Sequence, residues 1–438
     1  MKTILGIRRE DKNQWERRVP MIPAHVRELT QANHLDIRVQ SSPIRVFPDE
    51  DYRREGAKVE DGLSPCSIIF AIKEIPIHLL EKGKVYIFFT HTTKGQSHNM
   101  PMLRKMVDLG CSLIDYEKIV NEKGQRLLFF GRQAGEAGMV ETLWSFGQRL
   151  KVEGLANNPF STLLQTYRYR SLVEVKEEIQ KIGWHIHNKG LDPCLVPLIC
   201  GFTGYGHVSQ GAQEIFELLP FEEVQPEDLK SFMRKKNFSA HKFYKVVFKE
   251  KDLVKPKNSK TEFDLQDYYD HPEKYKPVFS SFVPFLSIIV NCIFWSPKYP
   301  RFVTKQDLKK LYGGKTAPRL RVIGDITCDV GGSMECTVQA TEPDKPSFVY
   351  DPFQDAVVFG FEGKGPVVMA VDNLPAEIPL ESSVFFSTAL KQFVPQIGTA
   401  DFSGELANCH LPDPIRKALI LYRGNFTPEY EYMRNFIE

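Results

Sequence analysis

The stretch ICGFTGYGHVSQGAQEIFELLP, Ile199–Pro220, decides the fold. An apolar run from Leu198 to Thr203 meets a Gly204-Tyr205-Gly206 turn. Val208, Ala212, Ile215, Phe216 and Leu219 then recur at helical spacing. Strand, glycine turn and helix in that order, within a parallel α/β sheet, aim a helix N-terminus at a ligand phosphate. The third glycine of the usual G-x-G-x-x-G pattern is replaced by Ser209, with Gly211 available for close packing. Glu222 and Glu223 follow about 18 residues on, where an acidic side chain would meet a ribose hydroxyl. Taken locally, a plain βα turn without a ligand is the competing reading.

The bulk composition narrows the class. A chain of 438 residues suggests two or three domains at ~150 residues each. Hydrophobic residues at 42% and charged residues at 26% are ordinary for a globular protein. A net charge of +2 gives no electrostatic case for nucleic acid, and RKKNFSAHK (Arg234–Lys242) reads as a solvated loop. The eight cysteines are scattered singly without a C-x-x-C, which fits a reducing compartment and gives no zinc site. MKTILGIRRE reads as a strand rather than a signal peptide, and no apolar run of 18 residues is present. The expectation is a cytoplasmic protein without a membrane or metal partner, or a mitochondrial one if the chain is a domain excised from an animal enzyme.

Working outward, TILGIRRE, DIRVQSS, CSIIFAIKEIP, KVYIFFTHT and CSLIDYE read as strands, and IPAHVRELTQANH and MPMLRKMVDLG as helices. That alternation indicates a mostly parallel sheet with helical crossovers. MVETLWSFGQRLKV (139–152) reads as one long amphipathic helix, and LVEVKEEIQKI (172–182) as another ending at Gly183. Residues 250–278 are polar and read as a loop or insertion. RLRVIGDIT and AVVFGF read as strands, and SSVFFSTALKQFVPQI and PDPIRKALILY as helical.

Several residues could carry chemistry. REDKNQWERRVPMIP (Arg9–Pro23) is dense in charge, and the Arg18 guanidinium offers a bidentate fork to a carboxylate. FAIKEIP ends an apolar strand with Lys73 and Glu74, and IFFTHTTK ends another with His91. Ligands collect outside the carboxyl ends of such strands. A desolvated lysine and a histidine emerging there could serve as acid and base. GDITCDVGGSMEC (Gly324–Cys336) carries Asp325 and Asp329 before a Gly-Gly turn, and VDNLPAEIP carries Asn373 before a proline-fixed bend. Each of these, taken singly, is also compatible with a structural or solvated role.

Taken together, GIRREDKNQWERRVPMIP, AIKEIP, FFTHTTK, LIDYEKIV, FTGYGHVSQGAQEIFELLP, HPEKY, GDITCDVGGSMEC and DNLPAEIP resemble, in order, the lysine–ketoglutarate reductase domain. That domain is the N-terminal, saccharopine-forming half of α-aminoadipic semialdehyde synthase. It is related to fungal saccharopine dehydrogenase and, more remotely, to alanine dehydrogenase and the transhydrogenase NAD domain. The resemblance runs over about residues 3 to 436.

The resemblance implies an α/β protein of two Rossmann-like doubly wound lobes with an interlobe cleft. Residues 1–138 and 346–438 would build the substrate lobe, and 139–345 the dinucleotide lobe with its insertion around 250–278. It implies condensation of L-lysine with 2-oxoglutarate and reduction of the imine by NADPH, with NADH as the alternative cofactor. Lys73 and His91 match the acid–base pair. Arg18 and Arg126 match carboxylate anchors, Glu74 and Glu117 match acceptors for the lysine ammonium, and Asp325 is expected at the substrate. Gly204, Tyr205, Gly206, His207, Val208, Ser209 and Gly211 match the pyrophosphate turn, with Glu223, Asp329 and Asn373 also expected at the cofactor.

Tyr205 and His207 depart from the family's T-G-T-G-N-V-S, and GRQAGEAG (131–138) carries Arg132 without the aromatic usual before A-G. These departures bear on cofactor choice and substrate more than on fold. Glu222 and Glu223 favour an unphosphorylated ribose, whereas Lys235 and Lys236 could hold a 2′-phosphate. A saccharopine dehydrogenase, separate or fused, is the implied partner, and oligomeric state is left open. A related dehydrogenase with another amino donor and a non-catalytic nucleotide sensor are the alternatives.

Overall fold

A computed structural model describes residues 3–437. The chain divides into two units, one made of Met1–Phe130 with Pro379–Glu438, the other of Gly131–Ile378. Among the described residues no helix is long and apolar enough to cross a membrane.

In the first unit the opening strands are β1 (Ile4–Ile7), β2 (Asp36–Gln40), β3 (Lys58–Glu60), β4 (Ile68–Phe70), β5 (Val85–Phe88) and β6 (Ser112–Asp115). All five pairings among them are parallel, and β1 lies between β2 and β4. The chain therefore leaves β1 toward one edge, through β2 and β3, and then crosses to β4 on the other side. That reversal opens a crevice at the carboxyl ends of β1 and β4. The central strands β4 and β5 are short, apolar and buried along their length, as parallel strands covered on both faces must be.

The second unit holds β7 (Ile199–Thr203), β8 (Phe221–Glu223), β9 (Phe243–Phe248), β10 (Val254–Pro256), β11 (Tyr275–Pro277), β12 (Ile288–Asn291), β13 (Val322–Asp325), β14 (Ser347–Asp351), β15 (Ala356–Phe359) and β16 (Val367–Met369). Its main sheet runs β15-β14-β16-β13-β12-β7-β9-β8. From β16 to β8 the strands are parallel, and β14 and β15 add an antiparallel edge. Alternate residues of β7 serve opposite faces. Ile199 packs with Val246 and Ile289 on one side, Cys200 and Phe202 with Val290 on the other.

Several segments differ from the sequence reading, among them LVEVKEEIQKI, whose helix runs on through Gly183 to Lys189. Residues 346–378, assigned above to the C-terminal return, pair through β16 and β14 into this second sheet. Residues 250–278 are ordered rather than loop-like, because β10 and β11 pair antiparallel as a small sheet of their own. PDPIRKALILY is helical only over Asp413–Lys417. Leu419–Tyr422 is β17, which returns to the first unit, lies antiparallel to β6, and is followed by β18 (Asn425–Phe426). A short apolar run has no period that separates helix from buried strand, so the partner β6 decides it.

The long helix extends further back than the 139 start, covering Gly131–Val152. It crosses the His207–Phe216 helix at glycines: a Cβ on Gly135 would run into the Val208 carbonyl, and one on Gly211 into the Arg132 carbonyl. Two backbones can approach this closely only where no Cβ intervenes.

Candidate active site

In the first unit, loops from the ends of β1, β4 and β5 converge. Lys73 and Glu74 follow β4, His91 follows β5, and Arg8 to Arg18 follow β1. The joint between the first two is a buried carboxylate. Glu10, 6% exposed, accepts hydrogen bonds from the backbone N–H groups of Ile72 at 2.7 Å and Lys73 at 3.0 Å. Burial, with the neighbouring Glu16 charge, pushes the Glu10 carboxyl up to about 7.

Glu74 is shared between an imidazole and an ammonium. Its Oε1 lies 2.6 Å from His91 Nδ1 and its Oε2 accepts from Lys12 Nζ at 3.0 Å. Burial opposes its ionisation, but the His91 contact and the Lys12 charge prevail and hold the carboxyl well below the usual range. A carboxylate bonded to Nδ1 orients the imidazole and leaves Nε2 as the atom that exchanges protons with a ligand.

His91 itself sits in the left-handed region, at φ 48°. That conformation costs ~1–2 kcal/mol for a side-chain-bearing residue. It is clamped by Asn99 Nδ2, which donates to the carbonyls of both Thr90 and His91 at 3.2 Å. Thr90 Oγ1 in turn donates to Asp115 Oδ2 at 2.6 Å, tying the turn to the end of β6. Backbone strain held this firmly is typical of functional loops.

The Lys73 ammonium is disfavoured first by burial and then by Arg18, which lowers its pKa from the ordinary lysine value. Arg18 is 2% exposed and stacks 4.3 Å above the Phe130 ring. Its fork, expected to take a substrate carboxylate, is engaged by Glu16, with Nε to Oε1 at 2.7 Å and Nη2 to Oε2 at 2.5 Å. Glu117 and Arg126, expected as separate contacts for ammonium and carboxylate, pair with each other at 3.2 Å. Lys12, Glu10 and Glu16 were missed in the sequence. Their partners lie up to 63 positions away, so only the charge density of REDKNQWERR hinted at them.

In the second unit the glycine turn stands at the carboxyl end of β7. Gly204 has φ 83°, a conformation that favours glycine, and its N–H donates to Phe248 O of β9 at 2.8 Å. A Cβ on Gly206 would meet nothing within 4 Å, so the turn has an open side. The helix beginning at His207 has no side-chain cap from Gly206, leaving its first turn suited to an anion. Val208 and Gly211 carry the contact with the long helix described above. Ser209 is fully buried, and its hydroxyl accepts from Gln213 Nε2 at 2.8 Å. The absent third glycine is thus a packed serine. These features fit a dinucleotide pyrophosphate.

Asp329 and Asn373 lie on loops after β13 and β16, on the same sheet edge as the turn. Two other expectations are corrected. Asp325, expected at the substrate, is 1% exposed and accepts from Asn291 at 2.8 Å, Thr327 at 2.9 Å and Thr337 at 2.5 Å. It anchors a polar network linking the ends of β12 and β13, to which Thr203 of β7 joins through Asn291. Glu223, expected at the ribose, lies on β8, and β9 separates it from β7. The register sets Glu223 and Cys200 both level with Lys245, three residues short of the end of β7. The extra edge strand between the helix and β9 breaks the usual spacing. The residues that follow the carboxyl end of the neighbouring strand, β9, are Lys249 and Glu250.

The family described as alanine dehydrogenase/PNT, N-terminal domain, matches residues 6–137. The alpha-aminoadipic semialdehyde synthase of Arabidopsis thaliana is 37% identical over 98% of this chain, which spans 41% of that protein. The mitochondrial alpha-aminoadipic semialdehyde synthase of Rattus norvegicus is 32% identical over 100% of the chain, and 48% of that protein is spanned. The chain therefore covers less than half the length of these two relatives. Saccharopine dehydrogenase [NAD(+), L-lysine-forming] of Emericella nidulans is 26% identical over 86% of the chain and 87% of its own length. Among solved structures, an L-alanine dehydrogenase shares the fold at a TM-score of 0.62 and 16% identity, each chain covered to 100%.

Proposed function

The chain belongs to the saccharopine dehydrogenase/alanine dehydrogenase-like superfamily, and from that premise we propose that it is a reductase forming saccharopine from L-lysine and 2-oxoglutarate. The observation that carries this reading is the Lys73–Glu74–His91 group at the ends of β4 and β5, in a chain that also has a dinucleotide-type turn after β7.

The lysine ε-ammonium must lose a proton before it attacks the keto carbon. The resulting carbinolamine must gain one on oxygen before water leaves and the imine forms. His91, oriented by Glu74, takes the first proton at Nε2. Lys73, whose ammonium is destabilised by burial and by Arg18, supplies the second to the departing hydroxyl. Glu117 and Arg126, each the other's partner without substrate, separate to receive an ammonium and a carboxylate. When bound, a nicotinamide cofactor would supply the hydride for the imine carbon. Gly204, Gly206 and the His207 helix N-terminus would hold its pyrophosphate.

Turnover of NADPH is expected to require lysine and 2-oxoglutarate together. If neither substrate pair nor any member of a panel of amines and 2-oxo acids elicits oxidation, the reading fails. If another amine replaces lysine, the donor alone is wrong.

A further inference from the structure

Resting on the dinucleotide reading above, we propose that Lys249 binds the 2′-phosphate of the adenosine ribose and makes the chain select NADPH over NADH.

In a doubly wound sheet the ribose falls beside the carboxyl end of the strand next to the glycine turn, where an acid takes the 2′-hydroxyl or a cation takes a 2′-phosphate. That strand is β9, held to the turn by the Gly204 N–H to Phe248 O bond at 2.8 Å. The two side chains that follow it point to opposite fates. Lys249 is exposed, and its ammonium lies 5.8 Å from the centroid of the Tyr205 ring within the glycine turn. Its backbone N–H donates to Asp252 Oδ2 at 2.9 Å, which fixes its position in the short turn.

Glu250 is the acid that would serve an unphosphorylated ribose, and it is turned inward. It is 8% exposed and accepts from Tyr269 Oη at 2.9 Å. It also lies against Tyr205, whose phenol its charge pushes up. The acids one strand further out are engaged by lysines, Glu222 with Lys242 at 2.9 Å and Glu223 with Lys245 at 3.6 Å. The charge displayed beside the turn is therefore cationic. Tyr205, the departure from a small residue in the turn, has a use on this reading, because its ring lies within cation–π reach of the ammonium and its hydroxyl bonds the competing carboxylate.

The test is a fluorescence titration of the whole chain with NADPH and with NADH, without substrates, so that binding is read apart from turnover. The native protein should bind NADPH about tenfold or more tightly, and K249Q should lose that margin while binding NADH as before. A K235A/K236A double variant should keep the preference. Unchanged melting of K249Q confirms that the fold is intact. Equal weakening of both dinucleotides by K249Q, an unaltered preference, or tighter native binding of NADH overturns the assignment while leaving the dinucleotide reading in place. Failure of the native chain to bind either one overturns both.

Discussion

Glu74 Oε1 lies 2.6 Å from His91 Nδ1, although the two residues leave different strands and His91 must take a left-handed backbone to reach it. Removing the imidazole by H91Q is expected to cut kcat by about 10²–10⁴. E74Q keeps a hydrogen-bond acceptor but loses the charge that stabilises a protonated ring, so a loss of about 10–100-fold is expected. Steady-state rates check both, and an E74Q enzyme with native kcat would remove Glu74 from the proton path.

Lys73 tests whether one acid–base group suffices. K73M should lower kcat by about 10²–10⁴ while leaving the dissociation constant for the reduced cofactor unchanged, because the glycine turn belongs to the other unit. Loss of cofactor binding in K73M would show that the substitution acts through folding instead.

The crossing of the two helices in the second unit should tolerate no side chain at Gly211. G211A would push a methyl into the Arg132 carbonyl, and overpacking of this kind costs about 1–3 kcal/mol or more. A thermal melt should drop by several degrees, with weaker cofactor binding as the His207–Phe216 helix is displaced. An unchanged melt would mean that the helices part easily.

Stability should fall as pH rises through neutrality. Glu141 and Glu377 are buried side by side in the second unit, and burial pushes Glu141 to about 7 and, with the Glu141 charge, Glu377 well up. Because the folded chain holds protons that the unfolded chain has already released, the Glu141 contribution is complete below the ordinary glutamate value of 4.5 and disappears as pH passes through about 7, and that of Glu377 is lost in the same direction. Glu10, also raised to about 7, and Asp115, raised by burial to about 6, act in the same direction. Melting curves from pH 5 to 9 should show the decline. E377Q, which supplies an amide donor to Glu141, should flatten it and raise the midpoint at the alkaline end.

Much of this was readable in the sequence because the signals are local. Apolar runs followed by Lys73, by His91 and by Gly204 put each at a strand's carboxyl end, and parallel pairing then aligns strand ends within each sheet. Pairings between distant residues were not readable. Nothing near Glu10 announces that it holds the backbone of Lys73, and nothing near Arg18 distinguishes a waiting fork from one closed on Glu16. The ribose acid was misassigned to Glu223 because counting residues past the glycine turn presumes that the next strand lies beside β7, whereas β8 lies one strand further out. The identity of β17 was hidden for a similar reason, since ALILY acquires its extended form only from β6.

The late arrival of β17 bears on how the polypeptide assembles as it leaves the ribosome. Gly131–Ile378 is contiguous and can close its sheet as soon as it has emerged. The earlier-made segment cannot, because its β6 margin stays bare until Leu419–Tyr422 has been translated. For that interval the nascent chain carries a strand with open hydrogen-bonding groups, the kind of edge that recruits other chains. The piece synthesised first is thus the last to be completed, and it is there that a chaperone would find its purchase.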